Sequence, residues 1–273
     1  MSMRERARTS SKKQKFQGSD RGRFSKKKSL LFGVHACLAA LLNPKRQGHQ
    51  LWVTLKTFST FSSEVQRQIK NVCTPVFVEG MAIQERVNPS DVHQGILLEV
   101  DPLEEVSLEE LVALSGKEAM IVLLDQVTDP HNVGAILRSA AAFGIHGIVM
   151  PHHHSVDNTA TLAKCASGAL EQVPLVSIGN LKQALDYLKL QGFWCMGLDE
   201  EGAEDVRSFR FEGKIALVLG AEGQGLRRLT KETCDGLIKL PTNPHFPTLN
   251  VSNAAAITFY EIACQLTERR KSS

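Results

Sequence analysis

Six short apolar runs punctuate the carboxy-terminal half of the chain: MIVLLDQV (120–127), GIHGIVMP (144–151), VPLVSI (173–178), FWCMGLD (193–199), KIALVLG (214–220) and GLIKLP (236–241). None of them alternates polar with apolar residues, so each reads as a strand covered on both faces. Helical segments with recognisable ends lie between several of the runs. In NLKQALDYLKLQG (180–192), Asn180 is placed to cap the helix, Leu181, Ala184, Leu185 and Leu188 share one face, and Gly192 stops it. Such alternation predicts an α/β domain with a mostly parallel sheet and helices on both sides.

A smaller α/β unit is predicted upstream. A helix-like pattern starts in SLLFGVHACLAALLN (29–43), and strand-like QLWVTL (50–55), helical SSEVQRQIKNV (62–72), apolar TPVFVEG (74–80) and HQGILLEV (93–100) follow. An acidic stretch over 102–118 then reads as a linker or a short acidic helix. The predicted organisation is a basic arm over 1–28, a small α/β domain over 29–101, the acidic linker over 102–118 and a larger domain over 119–273.

Charge sets the arm apart. Residues 1–28 hold 11 Lys/Arg against 2 Asp/Glu, a net of +9, whereas the whole chain carries +3, so the remainder carries −6. The arm lacks apolar periodicity and reads as disordered. A basic arm on an acidic body suits a polyanion, because lysine and arginine displace counterions from phosphate backbones; a solubilising tail is the competing reading. Its few apolar residues, chiefly Phe16 and Phe24, build no amphipathic face. A cytoplasmic location is therefore favoured and a mitochondrial address is the lesser alternative. The six cysteines lie 30 or more residues apart with no CxxC or Cys/His spacing. This pattern predicts neither zinc nor disulfides, and thiols that are reduced and mostly buried. No run approaches the ~18 residues of a membrane span.

Ligands of open α/β sheets bind beyond the carboxyl ends of the strands, and three post-strand loops here have unusual chemistry. In DPHNVGAILRSAAAFG (129–144), Asp129 and Pro130 suit the N-cap and first turn of a helix, with Asn132 a rival cap. Val133, Ile136, Leu137, Ala140 and Gly144 form the predicted buried stripe. Arg138 lies off it, flanked one turn away by Gly134 and by Ala141 and Ala142, which would let a ligand or a second backbone approach the guanidinium. In LVLGAEGQGLRRLT (217–230), Gly220, Gly223 and Gly225 enclose Glu222 between strand and helix; the spacing matches neither a dinucleotide fingerprint nor a Walker A loop. In LPTNPHFPTLNVSNAAA (240–256), prolines 241, 244 and 247 stiffen a loop entering a helix at Asn250 or Ser252, both good caps. The adjacent histidines 152, 153 and 154 diverge on a loop and read as surface residues rather than metal ligands. No Ser/His/Asp or Cys/His system has recognisable spacing.

Together and in this order, the three loops resemble the three motifs of the SpoU family, the 2′-O-ribose RNA methyltransferases of the SPOUT class. LLFGVHACLAALL and HQGILLEV resemble the ends of that family's amino-terminal substrate-binding module, so the resemblance runs from Leu30 to Leu266. It implies a carboxy-terminal trefoil knot, a homodimer, S-adenosylmethionine held in the knot loops and an active site at the subunit interface. The implied substrate is RNA, foremost a guanosine of 23S ribosomal RNA. Transfer RNA, another ribosomal site, or a non-catalytic RNA-binding assembly role are the alternatives. The resemblance implies no metal and no membrane. The motif residues carried over are Arg138, Asn132, Glu222, Asn250 and Ser252, with Gly220, Leu240 and Leu249 as cofactor contacts. The chain departs from the family in its third motif. A Met and a Gly commonly follow the proline and a Ser precedes Leu-Asn; here Thr242 to Thr248 reads TNPHFPT.

Overall fold

The alternating runs assemble into a seven-stranded sheet in the computed structural model, which describes residues 28–152, 159–243, 245 and 248–272. Its strands are β5 (Ala119–Asp125), β6 (Gly147–Pro151), β7 (Leu175–Ile178), β8 (Phe193–Leu198), β9 (Glu204–Asp205), β10 (Lys214–Gly220) and β11 (Gly236–Lys239). Their order is β7-β6-β5-β10-β8-β11-β9, and every pairing among the described residues is parallel. The two-residue β9 is too short to leave a signature in the sequence.

Burial explains the parallel arrangement. On β5, Met120, Val122 and Leu124 enter one apolar cluster, while Ala119, Ile121 and Leu123 enter another on the opposite face. On β10, Ile215, Leu217 and Leu219 face the first cluster, and Ala216 and Val218 the second. A strand that is apolar at every position needs a cover on each side. On one side the cover is α6 (Pro130–Ala142), α7 (Thr159–Ala166) and α10 (Val251–Ser272). On the other it is α5 (Leu108–Leu114) and α8 (Leu181–Leu190). In α8 the Asn180 side chain accepts from Gln183 N–H, Leu181, Ala184, Leu185 and Leu188 are buried, and Gly192 adopts the left-handed conformation, as the sequence predicts. The acidic stretch contributes α5, closed at its start by a Ser107–Glu110 capping box and buried through Leu108, Leu111 and Val112.

The upstream unit is a four-stranded sheet, β1 (Ser29–Phe32), β2 (Gly48–Val53), β3 (Pro75–Phe77) and β4 (Ile96–Val100), in the order β1-β4-β2-β3. Helices α1 (Val34–Leu42), α2 (Leu55–Ser59), α3 (Ser63–Val72) and α4 (Gly80–Gln84) complete it. The helix-like reading of 29–43 holds only from Val34. Residues 29–32 form a strand paired with β4, and Gly33, at φ +90°, turns the chain into α1. Two of the six thiols, Cys37 and Cys195, are buried and the other four only partly so, which corrects the expectation of mostly buried cysteines. Residues 1–27 of the basic arm and histidines 153 and 154 lie outside the described residues.

The two units share apolar contacts and one ion pair. Ala163 of α7 belongs to the cluster of the upstream unit, and the Lys164 ammonium lies 5.6 Å from the centroid of the Phe32 ring. Beside them, Arg46 donates to Glu171 with side chains 3% and 6% exposed; Asn43 Nδ2 also donates to Glu171 (2.8 Å), and Arg46 Nε to the Asp101 carbonyl (2.9 Å). A buried ion pair contributes little net stability when intact, but removing one partner strands the other charge at about 3–5 kcal/mol. Glu171→Ala should accordingly lower stability by about 3–5 kcal/mol in chemical denaturation followed by circular dichroism. A loss below about 1 kcal/mol would show that Arg46 reaches water without it.

Candidate active site

The carboxyl ends of β5, β10 and β11 lie on one edge of the sheet, so the loops that follow them meet there. Asp129 caps α6, its side chain accepting from His131 N–H (2.9 Å), with Pro130 in the first turn. Asn132 is thereby released from capping. After β10, Gly220 to Gly225 fold back on themselves, with a bridge between Ala221 and Gly225. A Cβ on Gly220 would lie 2.2 Å from the Gly225 carbonyl carbon, so the close approach that this glycine permits is to its own loop. Gly223 and Gly225 take positive φ and leave Glu222 exposed.

Asn250 joins the three loops. Its Nδ2 donates to Asn132 Oδ1 (3.0 Å) and to Glu222 Oε2 (3.0 Å), and its Oδ1 accepts from Ser252 N–H (2.9 Å) and Ser252 Oγ–H (2.6 Å). Both donors and both lone-pair positions of the amide are thus engaged. An aspartate here would offer acceptors to two acceptors and lose the cross-link. The same Oδ1 caps the first turn of α10. Asn132, Glu222, Asn250 and Ser252 therefore form one hydrogen-bonded group. Leu249, exposed, adjoins it in sequence, and Leu240, half-buried, follows β11.

Arg138 is not part of that group within a single chain. It lies six residues beyond Asn132, about 9 Å along the helix and on another side of it. It is exposed and makes no hydrogen bond or ion pair among the described residues. The close approach expected near Arg138 is made by α7: a Cβ on Gly134 would fall 2.4 Å from Cys165 Cβ. Val133, Ile136, Leu137 and Ala140 are buried as predicted, but Gly144 is exposed at φ +71°, ending the helix rather than extending its buried stripe.

One residue of the edge has a role that no sequence pattern assigns. Asp125, the acid closing the β5 run, is fully buried; it accepts from Arg227 Nε (2.7 Å), Arg227 N–H (3.1 Å) and Thr230 Oγ1 (2.7 Å). It thereby fixes the start of α9 (Arg228–Thr233), whose own N-cap residue offers no side-chain bond, and holds down the far end of the glycine turn that carries Glu222. The only hint in the sequence is an acid at the end of an otherwise apolar strand. In the third motif, His245 is exposed and its N–H donates to Asn243 Oδ1 (2.9 Å), while residues 244, 246 and 247 lie outside the described residues. His152 is exposed, and no group of metal-ligating side chains occurs among the described residues.

An all-parallel sheet whose post-strand loops meet on one asparagine, preceded by a small mixed-sheet unit, defines a two-unit α/β protein with its candidate site at the carboxyl edge of the larger sheet. The SpoU rRNA Methylase family model matches residues 119–260, and the model for RNA 2′-O ribose methyltransferase substrate binding matches 30–106. The chain belongs to the SpoU rRNA methylase family. It is 36% identical over 243 residues to the 23S rRNA (guanosine-2′-O-)-methyltransferase RlmB of Shewanella oneidensis, covering 88% of this chain and 98% of that protein. It is 43% identical over 175 residues to the RlmB of Vibrio vulnificus, covering 63% and 71%. Its fold is similar to that of the SpoU methyltransferase AviRb from Streptomyces viridochromogenes, solved in complex with AdoMet, at TM-score 0.73, 22% identity and coverage of 88% and 91%.

Because Asn250 serves both as cap and as cross-link, Asn250→Ala should cost about 1–3 kcal/mol of stability in urea denaturation. A cost no greater than that of Ser252→Ala would mean that the bonds to Asn132 and Glu222 contribute nothing.

Proposed function

We propose that this chain transfers the methyl group of S-adenosylmethionine to a ribose 2′-hydroxyl of RNA, in particular a guanosine of 23S ribosomal RNA. The observation that carries this reading is the Asn250 cross-link, which gathers residues of all three motif loops at the ligand-binding edge of the sheet. The RlmB relatives, matched over nearly their full length by this chain in the Shewanella case, support the guanosine and the ribosomal RNA.

The residues at this edge fit the cofactor. Leu240 and Leu249, in the loop that leads from β11 to Asn250, offer apolar surface that suits an adenine ring and the methylene chain of the methionine part. S-adenosylmethionine supplies an already electrophilic methyl group, so the difficulty lies with the nucleophile, a hydroxyl barely ionised at neutral pH. Alignment of the reacting groups contributes about 7–11 kcal/mol in well-oriented systems. Asn132 and Glu222 each retain capacity beyond the bond to Asn250, a donor amide and a second carboxylate oxygen respectively, and these orient the ribose. The Arg138 guanidinium binds the adjacent phosphate or stabilises the developing alkoxide.

The separation of Arg138 from Asn132 and Glu222 in one chain supports a site completed by a second copy. So do the exposed Leu249, Ile257 and Tyr260, the last two on α10, which offer apolar surface to a partner. The reading thus includes a homodimer and a trefoil knot in the 119–273 domain, with 29–101 as the RNA-binding unit. The return of the third-motif loop from β11 to Asn132 and Glu222 supports the knot. A cytoplasmic location accords with the bacterial relatives.

Arg138→Ala should abolish methyl transfer to 23S RNA transcripts, while calorimetric binding of S-adenosylmethionine and the dimer mass are retained. Undiminished turnover would remove Arg138 from the mechanism. Deletion of residues 1–28 should weaken RNA binding and flatten its dependence on salt, since each phosphate neutralised contributes close to one unit of log–log slope. An unaltered slope would reduce the arm to a tail.

A further inference from the structure

Arg138 opens into a crease between the two units, a cavity of about 330 Å³ whose wall includes His35 at the start of α1, Ser167 and Gln172. Ligand sites begin near ~300 Å³, so the space is of the right order for one nucleotide unit. Its chemistry is one-sided, for no carboxylate lines it among the described residues. Glu171, next to Gln172 in the chain, is turned inward onto Arg46 and Asn43, which removes the nearest acid from the crease.

The shape of the crease is held by strained backbone. Ser167 and Gly168 take positive φ in succession, +50° and +92°, and serine rarely does so. This turn seats Gly168 so closely on α1 that a Cβ there would lie 2.6 Å from Ala39 Cβ and 3.5 Å from the His35 carbonyl oxygen. The small-unit histidine and the motif arginine thus line one crease. Both side chains are exposed, and neither makes a hydrogen bond among the described residues. A guanidinium, an imidazole ring and a primary amide lining one crease match a phosphate and a flat base: Arg binds the phosphate, a ring stacks on the base, and the amide reads its edge.

We propose that this crease seats a nucleotide adjoining the methylated one, with its phosphate on Arg138 and its base stacked on His35 and bonded by Gln172, which makes His35 and Gln172 positioning residues for the RNA. The inference rests on the RNA methyltransferase reading. Full-length chains carrying His35→Ala, His35→Phe, Gln172→Ala or Gln172→Glu are to be compared with wild type for methyl transfer to in vitro transcribed 23S RNA and for filter binding of the same RNA. Calorimetry with S-adenosylmethionine serves as the folding control. His35→Ala should raise KM for RNA about tenfold with kcat within about twofold, as loss of one stacked base does. His35→Phe should restore most of the loss, and Gln172→Glu should weaken binding more than Gln172→Ala because a carboxylate then shares the crease with the bound phosphate. Should His35→Ala fail to fold, His35→Phe against Gln172→Glu decides the matter. Wild-type KM and RNA affinity in both His35→Ala and Gln172→Glu would overturn the proposal, as would a wild-type protein that binds no RNA. A wild type that binds the RNA without methylating it would defeat the methyltransferase reading alone, the crease then being judged on binding.

Discussion

A strand that is apolar at every position can exist in water only if both of its faces are covered, and the rest of this structure follows from that constraint. Covering both faces brings helices between most of the strands, and helical crossovers make the strands they join parallel. Parallel strands place all their carboxyl ends on one edge, so loops distant in sequence open side by side. Asn132 and Asn250 are separated by 118 positions yet lie 3.0 Å apart at the bonding atoms.

Two polar residues convert that proximity into a defined site by different means. Asp125 acts from below, its fully buried carboxylate meeting the backbone and side chain of Arg227 and the hydroxyl of Thr230. Asn250 acts from above, using all the bonding capacity of one amide. Between them the glycine turn that carries Glu222 is held at both ends, although Glu222 itself is exposed. Fixing exposed groups through buried neighbours keeps them available to a substrate while limiting their motion.

Much of this was legible from residue order. The six apolar runs each became a strand, and the caps at Asp129 and Asn180 and the stop at Gly192 fell where local chemistry puts them, because those features depend on a few adjacent residues. The opening of the small unit was misread: the leucines of 29–32 look the same to a helix and to a strand, and only pairing with β4 decides. Gly144 was placed on a buried stripe by its spacing, whereas its positive φ put it past the helix end. Asn132, Glu222, Asn250 and Ser252 were visible as a set through a resemblance of three motifs, but the bonds among them were not. The roles of Asp125 and His35 depend on what stands opposite each in space, and no local pattern encodes that.

Helix α7 contributes side chains to the clusters of both units, and Glu171 shortly beyond it meets an arginine of the other unit out of contact with solvent. The recognition module is therefore not a detachable attachment. Grafting a foreign module onto this catalytic half would leave a hole on one side of α7 and an orphaned carboxylate beside it. Change in what the protein recognises is consequently easiest at exposed residues, where side chains can be exchanged without disturbing either interior.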